Sequence, residues 1–478
     1  MSNEKWITAY EAFVDKMVAE EKVPGAAIGL AKDGELVYGK GVGYRNAGEQ
    51  LEVTLDTVFG IGSITKSFTC MAIMQLQEAG KLSVHDPVIK YLPEFRLKVG
   101  DVVEQMTIHQ LMTHSTGMPP MSTLGAALKR SIELDPEYEI NEQDKYSLAK
   151  IVPVDTYAEM FDYMAEQDFE LLGTPGTEFS YSNESYAMLG VIIERVSGKS
   201  YEAYMKEHIL VPAGMNDSVF LLDELDESAT ITSIYAAKTK DGEKEVFLSD
   251  NWWDAPAMRA AGFLKSTVRD MLKYADIYRT GGLAGSARIL TEDSVKQMVT
   301  PFIQCEQGCY YGYGLMITPD YHGTLLVEHG GSIKGVQAQM HVLPEEGVTG
   351  IVLTNLAASP ATALMNGALN AFAERAVDAS HMPEADHEVP ADRVEEFTGE
   401  YHSNEGSKLA IIHEDGAFKL VTEDNQSMLM KPIGEDLFLV KRRGSAATIR
   451  YIRDNNNNVI RISFGFRQIP KAAKPQPV

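Results

Sequence analysis

A serine hydroxyl and a lysine amine one helical turn apart, Ser63 and Lys66 in Gly60-Ile61-Gly62-Ser63-Ile64-Thr65-Lys66, have the types and spacing for nucleophilic chemistry. A serine hydroxyl is a poor nucleophile until a neighbouring base takes its proton. A desolvated lysine near other cations can be neutral enough to do so. The pattern Ser-x-x-Lys also occurs at Ser2/Lys5 and Ser147/Lys150, so the spacing alone decides nothing; only Ser63 precedes a long apolar run. The competing reading is that Ser63 merely caps a helix and Lys66 is a solvated first-turn residue.

The elements that must hold this pair lie on either side of it. Phe68, Cys70, Met71, Ala72, Ile73, Met74 and Leu76 place apolar side chains all around a helix, which must therefore be buried, and Gly80 ends it. The two glycines permit a tight turn before Ser63. Ser63 then opens a buried helix, where free N–H groups and the positive end of the helix dipole stabilise an anion.

Two distant segments carry the groups such a pair would need. Protonating a leaving group and later activating water calls for a second acid/base, and a tyrosine whose pKa is lowered by a neighbouring cation can serve. Tyr181 and Asn183, in Pro175-Gly176-Thr177-Glu178-Phe179-Ser180-Tyr181-Ser182-Asn183, are expected to alternate along an extended stretch ahead of a helix over Tyr186 to Val196. Tyr44-Arg45-Asn46 has the same spacing but ends a hairpin strand. The competing reading of Tyr181 is a buried tyrosine with a satisfied hydroxyl. His329-Gly330-Gly331-Ser332 follows the apolar strand Thr324 to Val327. Glycines on a strand facing a cleft let a ligand backbone lie close, and an exposed edge can pair with an extended peptide; taken singly, His-Gly-Gly also fits a turn.

Along the chain, residues 4 to 18 form an amphipathic helix, and Asp33-Gly34 joins two strands in a hairpin. Helical patterns dominate from Thr65 to about Thr300, with an acidic loop or insertion at Glu133 to Lys145. Strands return at Thr324 to Glu328, Val336 to Leu343 and Val348 to Asn355, and a helix over Thr362 to Ala376 closes the unit. Strands at both ends with helices between predict one sheet built from the N- and C-terminal parts, a helical region inserted, and a cleft where the two meet. Residues 1–379 form this unit, 380–395 a linker containing Pro383 and Pro390, 396–470 a small all-β barrel-like domain, and 471–478 a disordered tail. In the β domain six strands are expected, at Lys408 to Ile412, Ala417 to Val421, Met428 to Pro432, Leu437 to Lys441, Thr448 to Ile452 and Val459 to Phe464. This domain could be a lid over the cleft, a dimer contact or a passive appendage, and the strand pattern does not choose.

The 478 residues carry a net charge of −25, which argues against nucleic acid or an anionic membrane as a partner. No early stretch has an apolar signal-peptide core, and no run is long enough to span a membrane, so a cytoplasmic location is expected. Three cysteines give no disulfide framework. Cys305 and Cys309 have no cluster of further ligands nearby, so free thiols, no metal and no cofactor are expected. The implied partner is a small-molecule or short-peptide substrate; a homo-oligomer is left open.

Ser-x-x-Lys, then Tyr-x-Asn, then a strand bearing His-x-Gly, in this order, resembles the serine β-lactamase and penicillin-recognising superfamily. The form is similar to the class C-like branch that includes D-aminopeptidases, D-stereospecific peptidases and family VIII esterases. Val23-Pro-Gly-Ala, Leu111-Met-Thr-His-Ser-Thr-Gly117, Tyr311-Gly-Tyr-Gly314 and Leu353-Thr-Asn355 extend the resemblance over residues 20 to 375. It implies an α/β (α+β) fold, an antiparallel sheet beside a helical subdomain, and a C-terminal lipocalin-like β domain. It implies Ser63 as the acylated nucleophile, with Lys66 and Tyr181 sharing acid/base work in an order left open. Asn183 would orient Lys66 and the substrate amide, His329, Gly330 and Gly331 would line the substrate strand, and the N–H groups of Ser63 and Ser332 would form an oxyanion hole. Typical β-lactamases carry Lys-Thr-Gly where this chain has His329-Gly330-Gly331, replacing a permanent cation by a ring largely neutral at physiological pH. The resemblance therefore points to a serine hydrolase acting through an acyl-enzyme on D-amino-acid-containing peptides or amides, or on small esters. A true β-lactamase and a penicillin-binding receptor acylated without turnover are the alternatives.

Overall fold

The computed structural model describes residues 3–137, 148–240, 242–382, 385–406, 408–423, 426–442 and 445–472. Most of the expected acidic insertion and the end of the tail fall outside these residues, as do two residues of the linker. In chain order the elements that build the main sheet and its cover begin with helix α1 (Asn3–Glu20) and strands β1 (Gly25–Lys32), β2 (Glu35–Asn46) and β3 (Leu51–Glu52). Helices α2 (Thr65–Glu78), α3 (Asn183–Ser197) and α4 (Val268–Arg279) follow. Strands β4 (Ile303–Glu306), β5 (Cys309–Tyr311), β6 (Met316–Tyr321), β7 (Thr324–Ile333), β8 (Val336–Leu343) and β9 (Val348–Thr354) then lead to helix α5 (Ala361–Phe372).

The nine strands form one antiparallel sheet in the order β4-β5-β6-β7-β8-β9-β1-β2-β3. The two ends of the unit meet at its centre, where Ala26 pairs with Thr354 and Lys32 with Val348. Every residue of β9 is buried and so are nearly all of β1, because both faces are covered. Alternation then sorts their side chains: Ile28, Leu30 and Val352 pack under α1 and α5, while Ala27, Ile351 and Leu353 join the larger core around α2, α3 and α4. The hairpin between β1 and β2 turns through Asp33 and Gly34, both at positive φ, as the Asp-Gly signal requires.

Helix α2 is buried from Thr65 to Met74, including Lys66. Ser63 lies just ahead of it in a 3-10 turn, Gly62–Ile64, with Gly62 at φ +50°. Helix α3 begins at Asn183, three residues before the sequence expectation. Ser182, extended at φ −135° and ψ 121°, caps it by accepting a hydrogen bond from the Ser185 N–H, so Asn183 sits on the first helical turn and Tyr181 lies ahead of the cap.

The C-terminal β domain has eight strands, two more than expected: β10 (Gly399–His402), β11 (Lys408–Glu414), β12 (Ala417–Thr422), β13 (Ser427–Gly434), β14 (Leu437–Arg442), β15 (Ser445–Arg453), β16 (Val459–Phe464) and β17 (Arg467–Pro470). They run antiparallel in sequence order, and a bridge between Tyr401 and Lys471 brings the first and last edges together, so the barrel is nearly closed. Phe397, Tyr401, Phe418, Phe438, Ile449, Tyr451 and Ile462 fill its own core. The expected linker ends in a helical turn, Val394–Phe397, that plugs this core with Phe397.

Candidate active site

The start of α2, the start of α3 and strand β7 converge on one cleft of about 1080 Å³, lined by Ser63, Tyr181, Asn183 and His329 to Lys334 among others. Lys66 Nζ lies 3.2 Å from Ser63 Oγ, 2.9 Å from Asn183 Oδ1 and 2.5 Å from the Ala261 carbonyl. Burial pushes the Lys66 amine well below the ordinary lysine value, with the Arg467 charge as the next cause, against the opposing carboxylates Glu184 and Glu405. A neutral amine has two hydrogens and one lone pair. The Asn183 and Ala261 oxygens can only accept, so they take both hydrogens, and the lone pair is left for the Ser63 hydroxyl. This arrangement can remove a proton from Ser63.

Tyr181 lines the same cleft as Ser63, and the Lys66 Nζ stands 4.7 Å from the Tyr181 ring centroid. The sequence expectation of a lowered tyrosine pKa is reversed. Burial raises it, outweighing the opposing influence of the nearby Ser63 hydroxyl and the Arg467 charge, so the phenol is protonated in the resting protein. A protonated phenol beside the serine can give a proton to a leaving group.

His114, from the segment Leu111 to Gly117, holds Tyr181 in place. It adopts φ +54°, its carbonyl accepts from the Ser180 N–H at 2.9 Å and its Nδ1 from the Ser182 N–H at 3.0 Å. Its ring lies 4.2 Å from that of Tyr181. Both neighbours of Tyr181 are thus tied to a single residue.

Strand β7 continues through the glycines to Ile333 rather than ending before them. A Cβ on Gly331 would stand 1.9 Å from the Ile61 carbonyl, and one on Gly62 would stand 2.5 Å from the Ser332 nitrogen, so only glycine lets the Ser63 turn and this strand touch. The Ser63 and Ser332 backbones meet there. His329 is buried, its Nδ1 donates to the Gly330 carbonyl at 2.6 Å and its Nε2 accepts from the Tyr311 hydroxyl at 2.9 Å. Burial pushes its pKa down to about 4, so it is neutral, and both nitrogens are committed within the protein. It shapes the wall rather than offering a free donor.

At the mouth of the cleft, Lys334 pairs with the buried carboxylate of Asp135 and donates to the Asn251 carbonyl at 3.0 Å. The Trp253 indole donates to the same carboxylate at 2.8 Å. No sequence signal marks this cluster, because its members come from three separate segments. Cys305 and Cys309 are free thiols with sulfurs 3.5 Å apart, and no group of three potential metal ligands occurs among the described residues. No helix among them is long and apolar enough to cross a membrane.

Comparison with known proteins agrees with this fold. The family described as Beta-lactamase matches residues 10–374. The chain is similar to "Protein flp" of Staphylococcus aureus (strain MW2), 27% identical over 350 residues, which cover 72% of this chain and 62% of that protein; the match thus spans less than two thirds of the relative. It is also similar to the octameric penicillin-binding protein homologue from Pyrococcus abyssi, with a TM-score of 0.69 and 30% identity over 97% of this chain and 100% of that one. The D-amino acid amidase from Ochrobactrum anthropi SV3, solved with L-phenylalanine, shares the fold at a TM-score of 0.58 and 23% identity, covering 74% of this chain and 92% of that one.

Proposed function

We propose that this chain, which belongs to the Beta-lactamase family, is a metal-independent serine hydrolase that works through an acyl-enzyme on amides or short peptides, D-amino-acid-containing ones first among them. The observation that carries the reading is the hydrogen-bond inventory of Lys66, whose amine has its lone pair left for Ser63. Ser63 Oγ attacks the substrate carbonyl as its proton passes to Lys66, and the N–H groups of Ser63 and Ser332 receive the oxyanion, each such donor being worth roughly 3 kcal/mol. Tyr181 protonates the departing amine and becomes a phenolate beside the Lys66 ammonium. The phenolate then takes a proton from water, whose oxygen attacks the acyl carbon, and Lys66 returns its proton to Ser63 as the ester bond breaks. Protons balance over the cycle.

The absence of a lysine at position 329 and the neutrality of His329 favour amides and peptides over β-lactams, whose carboxylate a strand cation would hold as a point charge. The D-amino acid amidase among the structural neighbours supports that direction at the level of fold. Placement in the class C-like branch and a lipocalin-like ancestry for the barrel belong to the same proposal, as does self-association of the kind in the octameric neighbour's description. The test is a panel of D- and L-aminoacyl amides, dipeptides, short esters and a chromogenic cephalosporin, run with the wild type and Ser63→Ala. Turnover of D-aminoacyl amides that vanishes in the alanine variant is expected; turnover surviving the substitution refutes the nucleophile, and rapid cephalosporin hydrolysis favours a β-lactamase.

A further inference from the structure

The hairpin β16–β17 reaches out of the barrel into the cleft. Phe464 pairs with Arg467, leaving Gly465 and Phe466 as a two-residue turn with φ +57° and +64°. Positive φ at both central residues is the geometry of a type I′ turn, which suits glycine or asparagine; an aromatic residue there is strained and persists only where its surroundings hold it. The surroundings do hold it. The Tyr181 N–H donates to the Phe466 carbonyl at 2.9 Å, the Gln468 amide donates to Glu178 at 2.6 Å and to the Phe179 carbonyl at 3.1 Å, and Arg461 donates to the Leu172 carbonyl at 2.8 Å. Four contacts therefore fix the tip against residues 172–181, the segment that carries the proposed acid/base tyrosine.

The fixed tip presents one charge to the site. The Arg467 guanidinium lies 4.5 Å from the centroid of the Tyr181 ring and lines the cleft with 22% of its side chain exposed. Glu405, in the loop between β10 and β11, accepts from its Nε at 2.9 Å and orients it. Two cations, Lys66 when protonated and Arg467 always, thus share the ring of Tyr181.

We propose that the barrel completes the active site, and that Arg467, oriented by Glu405, is a positioning residue that governs proton transfer by Lys66 and Tyr181. The inference rests on the acyl-enzyme reading above and goes beyond it, because it makes the C-terminal domain part of the chemistry rather than a lid or an appendage. A fixed cation beside Lys66 disfavours its ammonium, so the base is free at lower pH. The same cation stabilises the Tyr181 phenolate that forms on acylation. Other groups facing Lys66 do not duplicate it: His114 and His329 are held neutral by burial, burial raises the Cys70 thiol, and Glu184 and Glu405 act with the opposite sign.

The experiment reads the rate at which a fluorophosphonate labels Ser63 in the full chain, as a function of pH, so that no substrate need be known. Labelling tracks the fraction of neutral Lys66. Arg467→Gln is expected to move the acid limb up by roughly one pH unit and Glu405→Gln to move it down, while Arg467→Lys keeps it near the wild type. Opposite displacements from two neighbouring substitutions cannot come from a shared loss of packing. An Arg467→Gln limb that coincides with the wild type, or both glutamine variants moving the same way, overturns the inference and leaves the hydrolase reading intact. A wild-type protein that fails to label at Ser63 overturns both.

Discussion

Lys66 Nζ and Asn183 Oδ1 are 2.9 Å apart although 117 residues separate them in sequence. This contact joins the first turns of α2 and α3, and with the Ala261 carbonyl it decides which face of the amine looks at Ser63. The proposed base is therefore oriented by acceptors that cannot themselves titrate at neutral pH.

Lys66→Met should separate activity from stability. Removing a general base is expected to lower kcat/KM by about 10³-fold. The folded pKa lies well below 10.5, so below that pH the unfolded chain takes up a proton more readily than the folded chain does. That cost of folding is absent above pH 10.5 and grows as the pH falls toward the folded value. Denaturant titrations should therefore find the methionine variant gaining on the wild type between high and neutral pH; a constant difference would contradict the buried neutral amine.

Gly331→Ala should disturb the site without touching a reacting group. The added Cβ meets the Ile61 carbonyl at 1.9 Å, so the strand must withdraw from the Ser63 turn. A displacement on the order of 1 Å is expected to cost about 10²-fold in kcat. Steady-state rates, with circular dichroism to confirm folding, check it.

His329 links stability to pH through its lowered value of about 4 against 6.5 for the free side chain. Its contribution is fully present above pH 6.5 and lost as the pH falls through about 4, because the unfolded ring charges first. His329→Gln should flatten the loss of stability over that window. Unfolding midpoints measured at pH 7 and pH 4.5 for both proteins give the comparison, and equal slopes would count against a buried neutral ring.

Asp135→Asn should destabilise the mouth of the cleft. It leaves the Lys334 cation, 7% exposed, without its carboxylate and weakens the anchor of Trp253. Breaking such a buried pair typically costs about 3 kcal/mol or more. Chemical denaturation followed by tryptophan fluorescence reads both the loss and the altered environment of Trp253.

Properties that follow from neighbours in the chain were legible before folding. The all-apolar run after Lys66 read as a buried helix, Asp33-Gly34 as a hairpin, and strands flanking a helical middle as one sheet built from both ends, whereas the pairing of residues 25–32 with 348–354 came only with the fold. Ser63, Lys66, Tyr181, Asn183 and the 329–332 strand were read as a set from the order of three motifs that resembles a known family, each motif being weak alone; that they share one cleft came only with the fold. What depends on surroundings was not legible. The rise in the Tyr181 pKa comes from desolvation by segments far away in sequence, and the inertness of His329 comes from Tyr311 across the sheet. Arg467 escaped because its strand is four residues long and enters through a Gly-Phe turn that no turn preference favours; only docking on residues 172–181 makes that backbone affordable. Periodicity is a local property of a chain, whereas dielectric, charge proximity and tolerated strain are properties of what packs around it.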